Sequence, residues 1–595
     1  MKVSDYIVEY LKSVGVKYIY GCIGGAATHL VDSIFKKEYG INFIHCYHEQ
    51  AAAFGASASA KYSGNIKAAL ATSGPGATNL ITGIADAYFD SAPVLFITGQ
   101  VNTYDFKYQR PVRQYGFQET DIVNIVRPIT KYSVLLDKVE KVEEELTKAV
   151  KIALSGRPGP VLLDIPMNIQ RGIICLKNKN FYTKLNNINN FKNINEKDIE
   201  EIYYLLKNSK RPLILVGGGC RISKANNELL LLVEKLSLLV VVSLMGKDCF
   251  PHNHPLFAGF IGAYGNRYGN IALSKSDVLL VLGSRLDSRQ IGNILDPFNT
   301  KKIIQIDIDK NEIGQRLSPK ISIVSDVKNF IVQFYSFLNN KNVKFKSNSN
   351  WLRCIKELKN IFSPLSEPLR AGIEDFHYRI MDEISKNLSS EDIVCVDVGQ
   401  NQVLAAQVLE IKEKQRFINS GGMAPMGYAL PAGIAISLEN KKRTIVIVGD
   451  GGMQINIQEL NTIAKLKLPM IIFVFNNRSL GMIKQFQHLY FNNHYCDTDE
   501  HCGYHSINFV QVAKAYGISS LNINENMLEW KEKIQRILNS STELPLLVQL
   551  DMDYQTYIYP KLEYNKPIDR PNPEITKKEK KIIYNLMEKL NINEQ

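Results

Sequence analysis

The chain alternates short apolar runs rich in β-branched residues with longer amphipathic stretches, and this pattern recurs in three blocks. Buried parallel strands are apolar on both faces, whereas the helices that cover them are apolar on one. The alternation therefore predicts an α/β protein with doubly wound parallel sheets. The predicted strands are 18–21, 67–72, 93–98 and 160–164 in the first block, 212–216, 239–243, 278–282 and 303–307 in the second, and 393–396, 443–448, 470–475 and 546–550 in the third.

The three blocks predict three domains, followed by a tail that is interrupted by proline and then basic. A length of 595 residues fits three or four domains of roughly 150 residues each. Polar, Asn- and Lys-rich sequence predicts linkers over about 171–197 and 336–370. The predicted domains are residues 1–170, 198–335 and 371–560, and the tail is 561–595.

The composition is typical of a globular protein, with 45% hydrophobic and 22% charged residues. No apolar run reaches the roughly 20 residues that cross a bilayer. The N-terminus has the pattern of an amphipathic helix and lacks the features of a signal peptide, so we expect a cytoplasmic protein without a transit peptide. The nine cysteines are scattered and form no CxxC pair, which disfavours a disulfide framework or a zinc site.

The net charge of +12 is spread along the chain, with one basic cluster at 577–581. A nucleic-acid-binding protein would concentrate such charge in one patch. We therefore interpret the basic residues as a solvated surface, whose field would also attract anionic substrates.

Two short polar motifs follow predicted strands of the third domain. Gly449-Asp450-Gly451-Gly452 comes directly after RTIVIV, and Asn476-Asn477 directly after MIIFVF. Open α/β sheets bind ligands at the carboxyl ends of their strands, so we expect Asp450 and Asn477 to lie near one another. A carboxylate, an amide, a backbone carbonyl, water and two phosphate oxygens would supply the roughly six oxygens that Mg²⁺ requires.

By itself, GDG is also a common turn, but the two motifs together resemble the diphosphate motif of thiamine-diphosphate enzymes. In that family a backbone carbonyl two residues after the second Asn completes the protein ligands. The resemblance implies thiamine diphosphate and Mg²⁺ as cofactors, with the metal held by Asp450, Asn477 and Ser479.

Glu49 stands between a predicted strand, INFIHCY, and an Ala-rich helix in the first domain. A glutamate at a helix N-terminus is usually a capping or dipole effect. The stretch from His48 to Val101, however, resembles the pyrimidine-binding domain of acetolactate synthase. The resemblance implies that Glu49 activates the cofactor through its pyrimidine ring and meets Asp450 across the interface of a homodimer.

The resemblance to the catalytic subunit of acetolactate synthase covers about residues 1–560. It places Gly25 and Gln118, the latter in an FQET segment, near the reacting centre. It also implies that Ala424 accepts a bond from the pyrimidine amine and that Met426 is the wedge that bends thiamine; plain core packing is the alternative for Met426. The remaining implied cofactor contacts are Gln400, Asn401, Gly449, Gly451, Gly452 and Met482.

The resemblance implies an FAD site in the second domain, because acetolactate synthases carry an FAD that takes no part in the net reaction. A family histidine is replaced by Tyr264 here, and a glycine-rich turn after a strand is generic, so a domain that keeps the fold without the flavin is the alternative. The family's FAD-contacting residues recur as Arg157, Gly218, Arg285, Asp307 and Asp326.

The acceptor side departs from the family pattern. Arg289 is retained, and the equivalent Arg helps to hold the second 2-oxo acid; an exposed surface Arg is the alternative. Phe486 replaces a family Trp, Met167 replaces a Lys, and the segment after Val101 differs. We therefore expect preserved donor chemistry and an altered acceptor pocket.

The expected activity is decarboxylation of a 2-oxo acid, pyruvate in the first instance, and transfer of the two-carbon unit to a second carbonyl. This describes an acetolactate-synthase-like transferase of branched-chain amino acid biosynthesis. The alternatives are a carboligase for another acceptor, such as a keto-sugar of surface-polysaccharide synthesis, a 2-oxo acid decarboxylase or oxidase, and a non-catalytic binding protein. The resemblance implies a homodimer or homotetramer, with a small regulatory subunit as a further partner and neither nucleic acid nor membrane.

Overall fold

A computed structural model of the protein describes residues 1–36, 40–175, 193–341, 345, 349–540 and 543–589. Its framework is three six-stranded sheets, each built from parallel strands. Helices are interleaved between the strands along the chain. The predicted fold class, α/β with three doubly wound parallel-sheet domains, is confirmed.

The first sheet has the strand order β2-β1-β3-β4-β6-β5. Its strands are β1 (Tyr18–Gly21), β2 (Asn42–His45), β3 (Lys67–Ala71), β4 (Val94–Gln100), β5 (Tyr132–Leu135) and β6 (Val161–Pro166). Its helices are α1 (Val3–Ser13), α2 (Thr28–Ile34), α3 (Glu49–Ser63), α4 (Pro75–Asn79), α5 (Ile81–Phe89), α6 (Ile122–Val126), α7 (Val142–Leu154) and α8 (Met167–Gln170).

The second sheet has the order β12-β11-β10-β7-β8-β9, which is the strand order of the dinucleotide-binding fold. Its strands are β7 (Pro212–Val216), β8 (Leu239–Val242), β9 (Phe257–Phe260), β10 (Val278–Leu282), β11 (Lys302–Asp307) and β12 (Ile321–Val324). The helices of this part of the chain are α9 (Glu196–Lys207), α10 (Gly218–Ile222), α11 (Asn226–Leu236), α12 (Arg267–Lys275), α13 (Ser288–Ile291), α14 (Val327–Asn340), α15 (Ser349–Ile361) and α16 (Glu367–Arg370).

The third sheet, β14-β13-β15-β16-β18-β17, repeats the topology of the first. Its strands are β13 (Ile393–Val396), β14 (Arg416–Ile418), β15 (Thr444–Gly449), β16 (Met470–Asn476), β17 (Ser519–Asn524) and β18 (Leu546–Asp551). The remaining helices are α17 (Phe376–Asn387), α18 (Gln400–Val408), α19 (Ala429–Asn440), α20 (Asp450–Ile455), α21 (Leu460–Leu466), α22 (Gly481–Tyr490), α23 (Phe509–Ala515), α24 (Trp530–Asn539) and α25 (Lys577–Lys589).

Helix α3 joins the first and third domains. Its residues from Ala51 to Ala60 are buried, and most of them are Ala, Ser or Gly. Small side chains let the backbone of α3 approach α19 closely, so that a Cβ at Gly55 would lie 3.6 Å from the Cβ of Ala435. This packing places the start of α3, and with it Glu49, against the third domain.

The sequence pattern missed five strands, and all five lie at sheet edges: β5, β9, β12, β14 and β17. Edge strands have one neighbour and are often partly exposed, so they lack the continuous apolar run that marks a central strand. Strand β12 alternates buried and exposed residues, and most of β17 is only half-buried. Strand β14 has only three residues.

The prediction of a linker over 336–370 is wrong for much of that segment. Helix α14 runs on to Asn340, and α15 buries Trp351, Cys354 and Leu358 in the core of the second domain. These apolar residues have helical spacing, but the Asn- and Lys-rich sequence before them gives the segment the composition of a linker. The central part of the first predicted linker, 176–192, lies outside the described residues.

The tail packs back onto the second domain. Ile568 and Met587 join its core, and the buried Arg267 guanidinium donates to Glu367 and to the backbone carbonyls of Pro571 and Pro573. A bidentate pair of this kind holds its partners in one orientation. Among the described residues, no helix is long and apolar enough to cross a membrane.

Candidate active site

A cavity of about 180 Å³ opens at the carboxyl ends of β13, β15 and β16. Gly449 pairs with Phe475 in the sheet, so the turn after β15 and the Asn pair after β16 begin at the same level. This register brings together positions that lie far apart in the sequence. The predicted diphosphate and metal positions that line the cavity are Gln400, Asn401, Met426, Gly449, Asp450, Gly451, Gly452, Asn477, Ser479 and Met482.

Asp450 is buried with half of its carboxylate unsatisfied. Its Oδ1 accepts a bond of 2.9 Å from the backbone N–H of Gly451, while Oδ2 is buried without a hydrogen-bond partner among the described residues. Burial raises the pKa of Asp450 to about 6, against the opposing effects of the Gly451 N–H and of the nearby Tyr504 and Ser506 hydroxyls. A buried, unpaired carboxylate oxygen is costly, and a cation at Oδ2 would satisfy it. The donor set therefore fits a divalent cation.

Asn477 is held by its neighbours in the same cavity. Its Nδ2 donates to Gln400 Oε1 at 3.2 Å and to Thr556 Oγ1 at 2.8 Å, and its Oδ1 accepts from the Ser479 N–H at 3.3 Å. Gln400 Nε2 and Ser479 Oγ are buried without partners in the described part of the chain. These polar atoms and the turn glycines suit the anionic oxygens of a diphosphate.

Met426 projects over the GDGG turn. It is 40% exposed, and its Cε lies 3.0 Å from the position of a Cβ on Gly451. Ala424 adopts a left-handed φ of 53° and donates its N–H to Ser420 Oγ. Such a backbone conformation is uncommon outside glycine and is often found where function constrains the chain. An exposed Met does not fit the alternative of plain core packing.

Glu49 begins helix α3 in the first domain. The His48 side chain caps the helix by accepting from the Gln50 N–H, and Glu49 Oε2 accepts from Asn79 Nδ2 at 3.0 Å. A Cβ at Gly76 would lie 3.1 Å from Glu49 Oε1, so glycine at 76 leaves space beside the carboxylate. The side-chain amide of Asn79 thus orients Glu49, and Glu49 Oε1 has no hydrogen-bond partner among the described residues.

Gln118 and Gly25 lie around the same strand ends of the first sheet. Gln118 has a left-handed φ of 61° and its carbonyl lies 3.0 Å from the position of a Cβ on Gly74, directly before α4. Gly25 begins a short 3₁₀ turn after β1, where the N–H of Ala26 donates to Thr72 Oγ1. Helix α4 also carries the Asn79 that holds Glu49. The predicted catalytic positions therefore form one group in the first domain.

Among the described residues that line the cavity of the third domain, none belongs to the first-domain group of Gly25, Glu49 and Gln118. The diphosphate cavity is lined by residues from His377 to Ile558, all in the third domain. Large apolar side chains are exposed near both groups, including Ile23, Phe117 and Met423. Large apolar side chains exposed beside a candidate site are typical of surfaces that bind a partner.

A second cavity, of about 930 Å³, lies between the three domains. It opens at the carboxyl ends of the second sheet, where a dinucleotide-binding fold receives its ligand. Both polar side-chain atoms of Asn419, which also lines it, are buried without a partner among the described residues. The predicted flavin residues Arg157, Gly218, Arg285, Asp307 and Asp326 line this cavity, as does Arg289.

Arg289 and Phe486, the predicted acceptor residues, lie apart from the small cavity. Arg289 is exposed at the start of α13. Burial raises the pKa of the Tyr264 hydroxyl, and the charge of Arg289 opposes that rise. Phe486, on α22, packs against Tyr490, Phe491 and Tyr564. An exposed Arg suits either a surface role or contact with an entering anion.

Sequence reasoning missed three residues that organise the site. Asp397 accepts from the N–H groups of Val398 and Gly427, which ties β13 to the Met426 loop. Asp90 of the first domain accepts from Gly421 and Gly422 at the start of that loop. Thr556 supports Asn477. Only Asp397 has a local signal, since it directly follows β13 and lies two residues before the GQNQ segment.

Comparison with known proteins gives three family matches along the chain. Residues 1–125, 199–334 and 397–550 match, in order, the N-terminal TPP binding domain, the central domain and the C-terminal TPP binding domain of thiamine pyrophosphate enzymes.

Curated relatives match nearly the full length. The chain is 37% identical to the probable acetolactate synthase large subunit of Methanocaldococcus jannaschii, over 93% of this chain and 92% of the relative. It is 33% identical to the acetolactate synthase large subunit of Haemophilus influenzae, over 94% and 95% of the two chains. Identity to the acetolactate synthase isozyme 1 large subunit of Escherichia coli is 32%, over 94% and 95%.

Proposed function

The chain belongs to the acetolactate synthase large-subunit family of thiamine pyrophosphate enzymes, and from this premise we propose how its residues support acetolactate synthesis. In this reaction two molecules of pyruvate give one acetolactate and one CO₂. The resemblance inferred from the motifs is confirmed. The comparisons do not favour the alternatives, a keto-sugar acceptor or a simple decarboxylase.

The observation that carries the proposal is the buried, unpartnered Oδ2 of Asp450 beside the unsatisfied Gln400 Nε2 and Ser479 Oγ. Asp450, the side-chain oxygen of Asn477 and the backbone carbonyl of Ser479 would hold Mg²⁺, and the turn glycines would hold the diphosphate. When bound, thiamine diphosphate supplies the electron sink for decarboxylation.

Residues of this protein would activate the cofactor and position it. Glu49, oriented by Asn79, would bond a pyrimidine nitrogen through Oε1 and share a proton with it. Met426 would set the bend of the cofactor over the GDGG turn, and the Ala424 carbonyl would accept from its amine. Gln118 and Gly25 would border the reacting carbon.

Incubation of the purified protein with thiamine diphosphate, Mg²⁺, FAD and pyruvate tests this function. We expect acetolactate and CO₂ in a one-to-one ratio. Release of CO₂ with acetaldehyde instead of acetolactate would identify a decarboxylase, and the absence of both products would refute the proposal.

We propose a homodimer as the smallest active unit, with Glu49 of one subunit serving the Asp450 cavity of the other. The support is that this cavity is lined from the third domain alone, while exposed apolar residues flank both groups. A symmetric dimer contains two such composite sites.

Complementation between two inactive variants tests the composite site. Glu49→Gln and Asp450→Asn are each expected to be inactive alone. Co-expressed and randomly assorted, half of the dimers carry both variants and each of these has one intact site, so about one quarter of wild-type activity should return. If Glu49 served its own subunit, the mixed dimers would have no intact site and no activity would return.

We further propose that the cavity between the three domains binds FAD. Its strand order, its size and its unsatisfied Asn419 support this assignment. Gly218→Val would add an isopropyl group beside Met245, whose Cβ lies 3.0 Å from a Cβ at 218. Quenching of flavin fluorescence should show at least about tenfold weaker FAD binding, with an unchanged thermal shift on adding thiamine diphosphate and Mg²⁺. Equal FAD binding by both proteins would contradict this site.

The relatives are named as large subunits, which supports a small regulatory subunit as a partner. Light scattering of the protein alone, and after addition of a small subunit from the same source, would distinguish a dimer, a tetramer and a larger complex. We also propose a cytoplasmic location, which subcellular fractionation would test.

A further inference from the structure

Lys561, in the segment after β18, is a buried cation without an ionic partner. The residue is only 6% exposed. Its ammonium group makes no ion pair or hydrogen bond with any residue that the structure describes. Burying a charge in this way is costly unless a counter-ion or an aromatic environment compensates it.

Three aromatic rings surround the ammonium group, and we call them with Lys561 the lysine cage. The distances from Nζ to the ring centroids are 5.4 Å for Tyr490, 5.9 Å for Phe486 and 6.0 Å for Tyr264. Cation–π attraction to these rings partly offsets the lost hydration. Tyr490 is 36% exposed and the adjacent Tyr564 is 61% exposed, so one side of the lysine cage faces solvent.

Backbone hydrogen bonds place the lysine cage beside Arg289. The N–H of Leu562 donates to the Ala263 carbonyl at 2.6 Å, and the N–H of Ala263 donates to the Arg289 carbonyl at 2.7 Å. Tyr264, which follows Ala263, forms one wall of the lysine cage. The charge of Arg289 opposes the rise that burial causes in the pKa of the Tyr264 hydroxyl. Two backbone hydrogen bonds through Ala263 therefore join Arg289 to the segment that carries Lys561.

The lysine cage also adjoins the diphosphate cavity. Gln485 bonds the backbone of Ile558 in both directions, at 2.9 and 3.1 Å, which locks α22 to the segment that carries Lys561. Met482 and Ile558 line the cavity. Phe486 lies one helical turn beyond Met482, and Lys561 lies three residues beyond Ile558. The lysine cage is thus one turn outward from the cavity wall.

We propose that Lys561, together with Arg289, binds the carboxylate of the acceptor 2-oxo acid and is a specificity-determining residue of this enzyme. The inference rests on the proposed acetolactate synthesis and names the acceptor subsite of the same site. An unpaired ammonium in an aromatic surround selects a small organic anion, because the cation meets its carboxylate and the rings contact its apolar end.

The charge of Lys561 is sensitive to pH. Burial lowers its pKa to about 8, and nearby Glu563 opposes that shift. The other titratable groups around it are Tyr264 of the second domain and Tyr490 of α22, with Tyr564 beside Tyr490, and Arg289 acts on Tyr264. Because the ammonium is charged below its pKa, acceptor binding should weaken as the pH rises through about 8.

Substitution of Lys561 in the holoenzyme tests the subsite. With pyruvate saturating as donor and 2-oxobutyrate varied as acceptor, Lys561→Met should raise the half-saturating acceptor concentration at least about tenfold. CO₂ release in the first turnover should stay within about twofold of wild type, because the donor does not use Lys561. Lys561→Arg should keep most acceptor affinity and move its loss to higher pH. Lys566→Met, which removes an exposed lysine of the same segment, is the matched control and should behave as wild type.

An unchanged acceptor dependence in Lys561→Met would overturn the inference, as would an equal loss of first-turnover CO₂. A second measurement does not depend on turnover: acetylation of lysines in the wild-type holoenzyme at pH 8, followed by mass spectrometry. Oxamate, an unreactive isostere of pyruvate, should slow the labelling of Lys561 and leave exposed Lys577 unaffected. Protection without acetolactate formation would refute the proposed function alone, whereas acetolactate formation without protection would refute the subsite alone.

Discussion

Replacing Glu49 by Gln is expected to lower the rate of acetolactate formation at least about 100-fold while thiamine diphosphate still binds. The amide keeps the size of the side chain and can still contact Asn79. It cannot share a proton with a pyrimidine nitrogen, so activation of the cofactor is lost. The measurement is steady-state acetolactate production beside the thermal shift given by thiamine diphosphate and Mg²⁺.

Glu49→Asp is the matched control, because it keeps the carboxylate but shortens the side chain by one methylene. We expect an intermediate rate for this variant, since the acid group is present but displaced. Wild-type turnover in Glu49→Gln would refute the catalytic assignment. Loss of the cofactor-induced thermal shift in that variant would show that Glu49 acts in binding instead.

Replacing Asp450 by Asn should abolish the stabilisation that thiamine diphosphate and Mg²⁺ give the wild-type protein. At a ligand concentration 100-fold above Kd, that stabilisation is about 2.7 kcal/mol. The amide has no charge to offer a cation at the position of Oδ2, so Mg²⁺ and the diphosphate would both bind more weakly. Differential scanning fluorimetry at pH 8, with and without both cofactors, measures the change.

Without cofactors, the same variant should be at least as thermally stable as the wild type. Burial raises the pKa of Asp450, so the ionised carboxylate at pH 8 destabilises the cofactor-free fold, and a neutral amide removes that cost. Asp553→Asn, at an exposed aspartate after β18, is the control and should keep the full cofactor response. A normal cofactor shift in Asp450→Asn would refute the metal-ligand assignment.

The interior strands and the two diphosphate motifs were readable from the sequence, because both are local signals. Strands β15 and β16 are continuous apolar runs that are buried along their length. Each motif directly follows its strand, and neighbouring parallel strands present their ends at one edge. The sequence alone therefore places Asp450 and Asn477 near one another.

The edge strands and the supports of the site were not readable in this way. Strand β12 alternates exposed and buried residues, so it carries no continuous apolar signal. Asp90 holds the Met426 loop through Gly421 and Gly422, which are more than 300 positions further along the chain. Nothing in the sequence around Asp90 indicates a partner at that distance.

The sequence by itself determined the fold class and the placement of the two motifs at strand ends, since each depends on periodicity or on a few adjacent residues, whereas the family resemblance implied the cofactor residues. Only the tertiary structure decided that α15 and the tail pack onto the second domain, that the diphosphate cavity is lined from one domain, and that Lys561 is enclosed by aromatic rings. Lys561 meets Tyr264 and Phe486 because the strand order and the path of the tail bring distant segments together. Local propensity does not encode that path, because burial of apolar surface between whole elements selects it.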